Sequence, residues 1–297
     1  MADEVKIIEC PRDAWQGLPR AIPTEEKISC LRALISAGFR HLDAVSFVSP
    51  RHVPQMADSE IVLEALGAEL GGVEIIGIVV NQKGLDRALA APGVSTLGYP
   101  LSISPTFQQR NASQSIEEGR AFAGRLIEAT REAGRKLVVY ISMAFGNPFG
   151  DSYSPEAVVE EVARLRELGA GTLSLADTVG RASAGDIRQL CGAVLPKAEG
   201  IELGLHLHSA PDGVEEKVRA AFEAGCRRLD SALTGLGGCP FAGDTKVGNL
   251  PTERALAALE ALGARSGPPG DALAMPLSLT KEIARKYGTQ ENKKEDS

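Results

Sequence analysis

The chain has 297 residues, 43% hydrophobic and 24% charged, with a net charge of −7, which is enough apolar material for one large core or two small domains. An acidic balance without a basic stripe argues against a nucleic-acid partner, while a local basic mouth facing an anionic ligand stays compatible with it. No apolar run reaches the roughly 18 residues of a membrane span, and residues 1–6 (MADEVK) lack the pattern of a secretory leader, so a cytoplasmic protein with no membrane partner is expected.

Short β-rich runs alternate with amphipathic helical stretches along the whole chain. Strands are predicted at 5–10, 41–47, 73–80, 95–98, 137–143, 172–176, 201–208 and 228–231. A helix-like segment follows each, for example at 24–37, 59–70, 115–133, 155–168, 212–224 and 251–262. Ser115 followed by Glu118 has the spacing of a capping box. The pairs Ala37-Gly38, Ala133-Gly134 and Ala224-Gly225 suit left-handed helix ends. Eight such units read as an α/β protein, a (β/α)8 TIM barrel with a short C-terminal extension. It is expected as one domain over 1–289 with a charged, disordered tail at 290–297. An open doubly wound sheet shares this periodicity and is the competing topology. The five cysteines (Cys10, Cys30, Cys191, Cys226, Cys239) are odd in number and include no Cys-x-x-Cys, so neither a disulfide framework nor a zinc finger is expected.

Three stretches carry chemistry. In Leu203-Gly-Leu-His206-Leu-His208 the alternation of a strand puts both histidines on one face and the leucines on the other. In a barrel those imidazoles face the interior near the strand's C-terminal end, where barrel active sites are built, and suit a metal; they also fit a structural, hydrogen-bonded pair. In Cys10-Pro-Arg12-Asp13, just past the first strand, Asp13 is a candidate to complete a His-His-Asp site, and Arg12 to stabilise a developing enolate or a thioester carbonyl. The same two residues also fit a surface ion pair. In Gly235-Leu-Gly-Gly-Cys239-Pro-Phe-Ala-Gly243, glycines surround a thiol in a loop able to hinge over a ligand, where Cys239 is a candidate acid; a glycine-rich turn around a buried cysteine is the other reading.

Together, Cys10-Pro-Arg-Asp13, Val45-Ser-Phe-Val-Ser-Pro50 with Val53-Pro-Gln-Met56, His206-Leu-His208, and Gly235-Leu-Gly-Gly-Cys-Pro240 with Gly248-Asn-Leu-Pro-Thr-Glu253 resemble the hydroxymethylglutaryl-CoA (HMG-CoA) lyase family, over residues 4–265. His-x-His alone is shared with the wider group that includes isopropylmalate and homocitrate synthases. The resemblance implies a barrel enzyme that holds Mg²⁺ or Mn²⁺ through Asp13, His206, His208 and Asn249. It implies cleavage of HMG-CoA, or a related 3-hydroxyacyl-CoA thioester, to acetyl-CoA and acetoacetate or the matching keto product. Arg12 and Cys239 match the family's catalytic arginine and cysteine, and Glu253 and Asp177 match further site acids. Arg12, Asp43, Asp177 and Glu253 are therefore expected near substrate. His206 and Asp13 are both candidates for the base that takes the hydroxyl proton.

The chain departs from the family pattern at one mouth. Asp13-Ala-Trp-Gln16 replaces Asp-Gly-Leu-Gln, so Trp15 and the Ala14 methyl are expected to alter the pocket beside the metal. Asp43 replaces a glutamate, shortening its reach toward Arg12 by about 1.3–1.5 Å, one carbon–carbon bond. Ser209 replaces an acid beside the histidines, and Asn147 a cysteine near the fifth strand. A Claisen-type synthase on the same barrel and a non-catalytic acyl-CoA-binding homologue are the alternative functions. Arg20, Arg51 and Arg110 are candidates for the CoA nucleotide, and a homodimer through outer helices is the oligomeric expectation.

Overall fold

The structure, a computed structural model, describes residues 3–238 and 247–288. Cys239 and the tail 290–297 lie outside the described residues. Eight strands form the centre: β1 (Glu4–Glu9), β2 (His41–Ser46), β3 (Glu74–Ile78), β4 (Thr96–Ser102), β5 (Lys136–Ser142), β6 (Thr172–Ala176), β7 (Glu202–His206) and β8 (Arg228–Ser231). They pair in chain order, all parallel, and β8 returns to β1 over Lys6↔Arg228 to Glu9↔Ser231. That last ladder closes the sheet and excludes the open doubly wound alternative. Apolar residues sort by strand face. Val5, Ile7, Ile75, Leu97 and Val139 join the shell under the helices. Ile8, Cys10, Ile76, Ile78, Val138 and Tyr140 form a separate cluster inside the barrel.

The covering helices are α1 (Pro11–Gln16), α2 (Thr24–Ala37), α3 (Ser59–Leu66), α4 (Gln82–Ala90), α5 (Pro105–Ala112), α6 (Ile116–Glu132), α7 (Pro155–Glu167), α8 (Ala184–Val194), α9 (Val214–Glu223), α10 (Thr252–Ala261) and α11 (Ala274–Tyr287). Ser115 and Glu118 make the expected reciprocal cap of α6. Gly38, Gly134 and Gly225 take positive φ at helix ends, where a Cβ would be strained. The four described cysteines are all buried and unpaired.

Three elements differ from expectation. The segment after β1 turns at once into α1, because Pro11 at its first position is preset for a helix. The expected strand 201–208 is broken. β7 stops at His206, and His208–Ser209 pairs antiparallel with Gly248–Asn249. β4 runs on through Pro100, in register with Tyr140, beyond the end that a proline signals.

Candidate metal centre at the barrel mouth

α1 presents Arg12 and Asp13 at the C-terminal end of the strands. Arg12 Nε donates to Asp43 Oδ1 at 3.0 Å, and a second guanidinium nitrogen donates to Asp43 Oδ2. Its third nitrogen donates to Asp13 Oδ1 and Gln16 Oε1, each at 3.0 Å. Asp43 thus reaches Arg12 with both oxygens despite its shorter side chain. Gln16 also donates to Asp13 Oδ1 at 3.1 Å, and Asn249 Nδ2 donates to Oδ2 at 2.9 Å. Burial alone would raise the Asp13 pKa. The Arg12 charge, both imidazoles and the Asn249 amide outweigh it and bring Asp13 down to about 2.

His206 and His208 face this carboxylate. One ligand atom from each of Asp13, His206 and His208 lies within 4.8 Å of the other two. The imidazoles meet edge to face, with centroids 5.2 Å apart. His208 Nδ1 sits 2.7 Å from the backbone carbonyl oxygen of Asp177, and Lys217 Nζ donates to the His208 carbonyl at 2.6 Å. His208 Nε2 is buried and has no partner within the protein. Leaving such a nitrogen unsatisfied costs about 1–3 kcal/mol. Beside a carboxylate oxygen and a second imidazole it is what a metal ligand looks like before the ion is added, so this N, N, O donor set fits a divalent cation. Burial and the neighbouring His206 hold the His208 pKa down. Burial works against charge on His206 too, but Asp230 and Asp13 prevail and raise its pKa.

The cluster heads a cavity of about 730 Å³ lined by Arg12, Asp13, His206 and His208. Tyr140, Ile78, Pro100 and Ala176 line it too, and Arg51, His52 and Arg110 belong to the same lining. Asp43, Asp177 and Glu253, expected near substrate, each accept hydrogen bonds from groups of the protein. Asp43 is turned onto Arg12. Asp177 accepts the backbone N–H groups of Arg181 and Ala182. Glu253 accepts the N–H of Thr234. Both oxygens of Asp43 and of Asp177 are engaged by protein donors, and one oxygen of Glu253 is. Asn249 donates its amide to Asp13 Oδ2 and to the Leu236 carbonyl.

One departure from the family pattern sits elsewhere than expected. Trp15 is buried in the shell under the helices, 1% exposed, and does not touch the cavity. Ser209 donates to the Ala210 carbonyl, and Asn147 braces its own loop through Asp151 and Phe149. Sequence reasoning passed over Gln16, Tyr140, Lys217 and the buried pair Arg228 and Asp230. The last pair had a signal: two opposite charges, two residues apart, on a strand.

A closed eight-stranded barrel with donors gathered at the C-terminal ends of its strands is that of a (β/α)8-barrel enzyme, whose active site lies at that mouth. The HMGL-like family model matches residues 4–276. The chain is 35% identical to the mitochondrial hydroxymethylglutaryl-CoA lyase of Mus musculus over 266 residues, 89% of this chain and 81% of that one. It superposes with a TM-score of 0.88 on the HMG-CoA lyase of Brucella melitensis, at 31% identity, covering 96% of this chain and all of that one. An HMG-CoA lyase of Acinetobacter baumannii in complex with coenzyme A and 3-methylmalate matches with a TM-score of 0.85 at 30% identity, covering 97% of each chain. The chain belongs to the HMGL-like family.

Proposed function

We propose that this protein is a carbon–carbon lyase that splits HMG-CoA, or a closely related 3-hydroxyacyl-CoA, into acetyl-CoA and a keto acid. The carrying observation is the convergence of Asp13, His206 and His208 at the head of one cavity, with Arg12 fixed beside them. The lyases named above, one of them in complex with coenzyme A, support the same reading.

The residues divide the work. Asp13, His206 and His208 would hold Mg²⁺ or Mn²⁺, and Asn249, whose amide meets Asp13, would complete the set. A divalent cation there supplies Lewis-acid polarisation of substrate oxygens. A basic group at the mouth takes the proton of the 3-hydroxyl. The C2–C3 bond breaks, its electron pair passing to the thioester as an enolate while C3 becomes the keto carbon. Arg12 stabilises the enolate oxygen, and Asp43 and Gln16 keep its guanidinium in place. The Cys239 thiol then protonates the enolate carbon to give acetyl-CoA. Arg51 and Arg110 line the cavity, which supports assigning them to the phosphates of a CoA thioester.

The test is release of acetyl-CoA from HMG-CoA with Mg²⁺ or Mn²⁺. Activity is expected to vanish on chelation, return with metal, and be absent in Asp13→Ala. Cys239→Ala is expected to lose most turnover and keep Mn²⁺ binding. Full turnover after exhaustive chelation removes the metal role, and undiminished turnover without the thiol removes the acid assignment.

A further inference from the structure

Below the mouth, a second pair of charges lies inside the barrel, outside every step above. Arg228 and Asp230 are two residues apart on β8, so both side chains share its inner face, and each is 1% exposed. Arg228 Nη1 stands 3.0 Å from Asp230 Oδ1. The other oxygen, Oδ2, lies 3.4 Å from His206 Nδ1, within ion-pair range though not aligned as a hydrogen bond, and accepts from Ser174 Oγ at 3.3 Å. The neighbouring strand makes room for the guanidinium: a Cβ on Gly204, two residues before His206, would sit 2.7 Å from Arg228 Nη1.

A buried ion pair is seldom more stable than apolar side chains of the same volume, so stability gives no reason for this one. Its contact with His206 does. An ionised carboxylate only accepts hydrogen bonds. Facing Nδ1, it favours the tautomer with a proton on that nitrogen, which leaves the lone pair on Nε2 for the ligand cluster. His208 is fixed in the same sense by another acceptor, the Asp177 carbonyl oxygen on its Nδ1.

We propose that Asp230, backed by the Arg228 charge, is a positioning residue that fixes the tautomer and ring orientation of His206. Its use rests on the metal reading above; its first test does not. In metal-free protein labelled with ¹⁵N-histidine, long-range ¹H–¹⁵N correlation spectra above the imidazole titration range report the tautomer of each of the four histidines. His206→Gln assigns the His206 signals. His206 is expected as the Nδ1–H form, and a predominantly Nε2–H ring overturns the inference whether or not any metal binds.

The second test is Mn²⁺ titration followed by electron paramagnetic resonance. Asp230→Asn offers both a donor and an acceptor at the same place and so loses the choice of tautomer. It is expected to weaken Mn²⁺ binding about 10- to 100-fold with an unchanged circular dichroism spectrum. Affinity within twofold of the parent overturns the role. If that variant does not fold, the double variant Asp230→Asn, Arg228→Met is titrated with the same expectation, since it leaves no buried charge unpaired. Parent protein that binds no Mn²⁺ removes the proposed metal function, while the tautomer still decides on Asp230.

Discussion

Arg12 spends its guanidinium on three protein partners, Asp43, Asp13 and Gln16, in one fixed plane. A planar fork can do this and a point charge cannot. Arg12→Lys is therefore expected to lower kcat by about 10²–10³, or roughly 2.7–4 kcal/mol, the cost of losing one donor to a developing oxyanion. Mn²⁺ affinity should change little, because Asp13 keeps Gln16 and Asn249. Steady-state kinetics beside a Mn²⁺ titration separate the two, and an equal loss in both would make Arg12 part of the metal site's framework. Much at this scale is legible in the sequence. Arg12, Asp13 and the two histidines announce themselves as charged or polar groups at strand ends. What faces what is harder to read. Treated as a loop, Cys10-Pro-Arg-Asp13 leaves Trp15 beside the metal. As helix α1, with about 100° per residue, it turns Trp15 some 200° from Asp13 and into the core. A sequence also cannot show that Arg12 engages both oxygens of Asp43.

At the scale of the element, one carboxyl ties the residues just after β8 to the start of α10. Glu9, 2% exposed, accepts the N–H of Leu233 at the start and the hydroxyl of Thr252 at the finish. The glycines between are legible as a loop. Their reason is not: a Cβ on Gly237 would sit 2.7 Å from Ala14 Cα and 3.0 Å from the Asp13 carbonyl oxygen, a contact between distant parts of the chain. Burial pushes the Glu9 pKa from 4.5 up to about 8, against the Thr252 and Leu233 hydrogen bonds that lower it. In the unfolded chain Glu9 releases its proton near 4.5, and in the folded chain only near 8. Folding therefore holds an extra proton across that window, and the group's contribution falls as pH rises through it. At about 1.4 kcal/mol per pH unit the loss is on the order of a few kcal/mol. Glu9→Gln, which keeps an acceptor for Leu233 and has no charge to bury, is expected to flatten the fall in Tm between pH 5 and 8. It should melt above the parent at pH 9. Thermal melts across that range check it, and parallel curves for parent and variant would refute the assignment.

At the scale of the whole molecule, alternation of strand and helix carries the architecture, since each unit must bury one face of a strand against its helix. Closure is decided by the register of β8 on β1, a pairing between the two ends of the sheet that no local pattern encodes. The packed shell and the apolar cluster inside the barrel draw on residues remote from the mouth, such as Leu97, Val139 and Val138. The barrel's stability is thus largely separate from occupancy of the site, unlike that of a small domain folded around its metal. Chelated protein should remain folded and melt cooperatively, and a bound cation should add only its binding free energy. At a metal concentration one hundred times Kd that is about 2.7 kcal/mol. In a chain of this size it corresponds to a rise in Tm of about 5 °C. Asp13→Ala removes a ligand while sparing both apolar clusters, so its metal-free melt should stay near the parent's and its metal-induced rise should fall below about 1 °C. Differential scanning fluorimetry with and without Mn²⁺ measures all four values. A chelated parent that no longer unfolds cooperatively would show that the cation is part of the fold, and an equal rise in both proteins would place it away from Asp13.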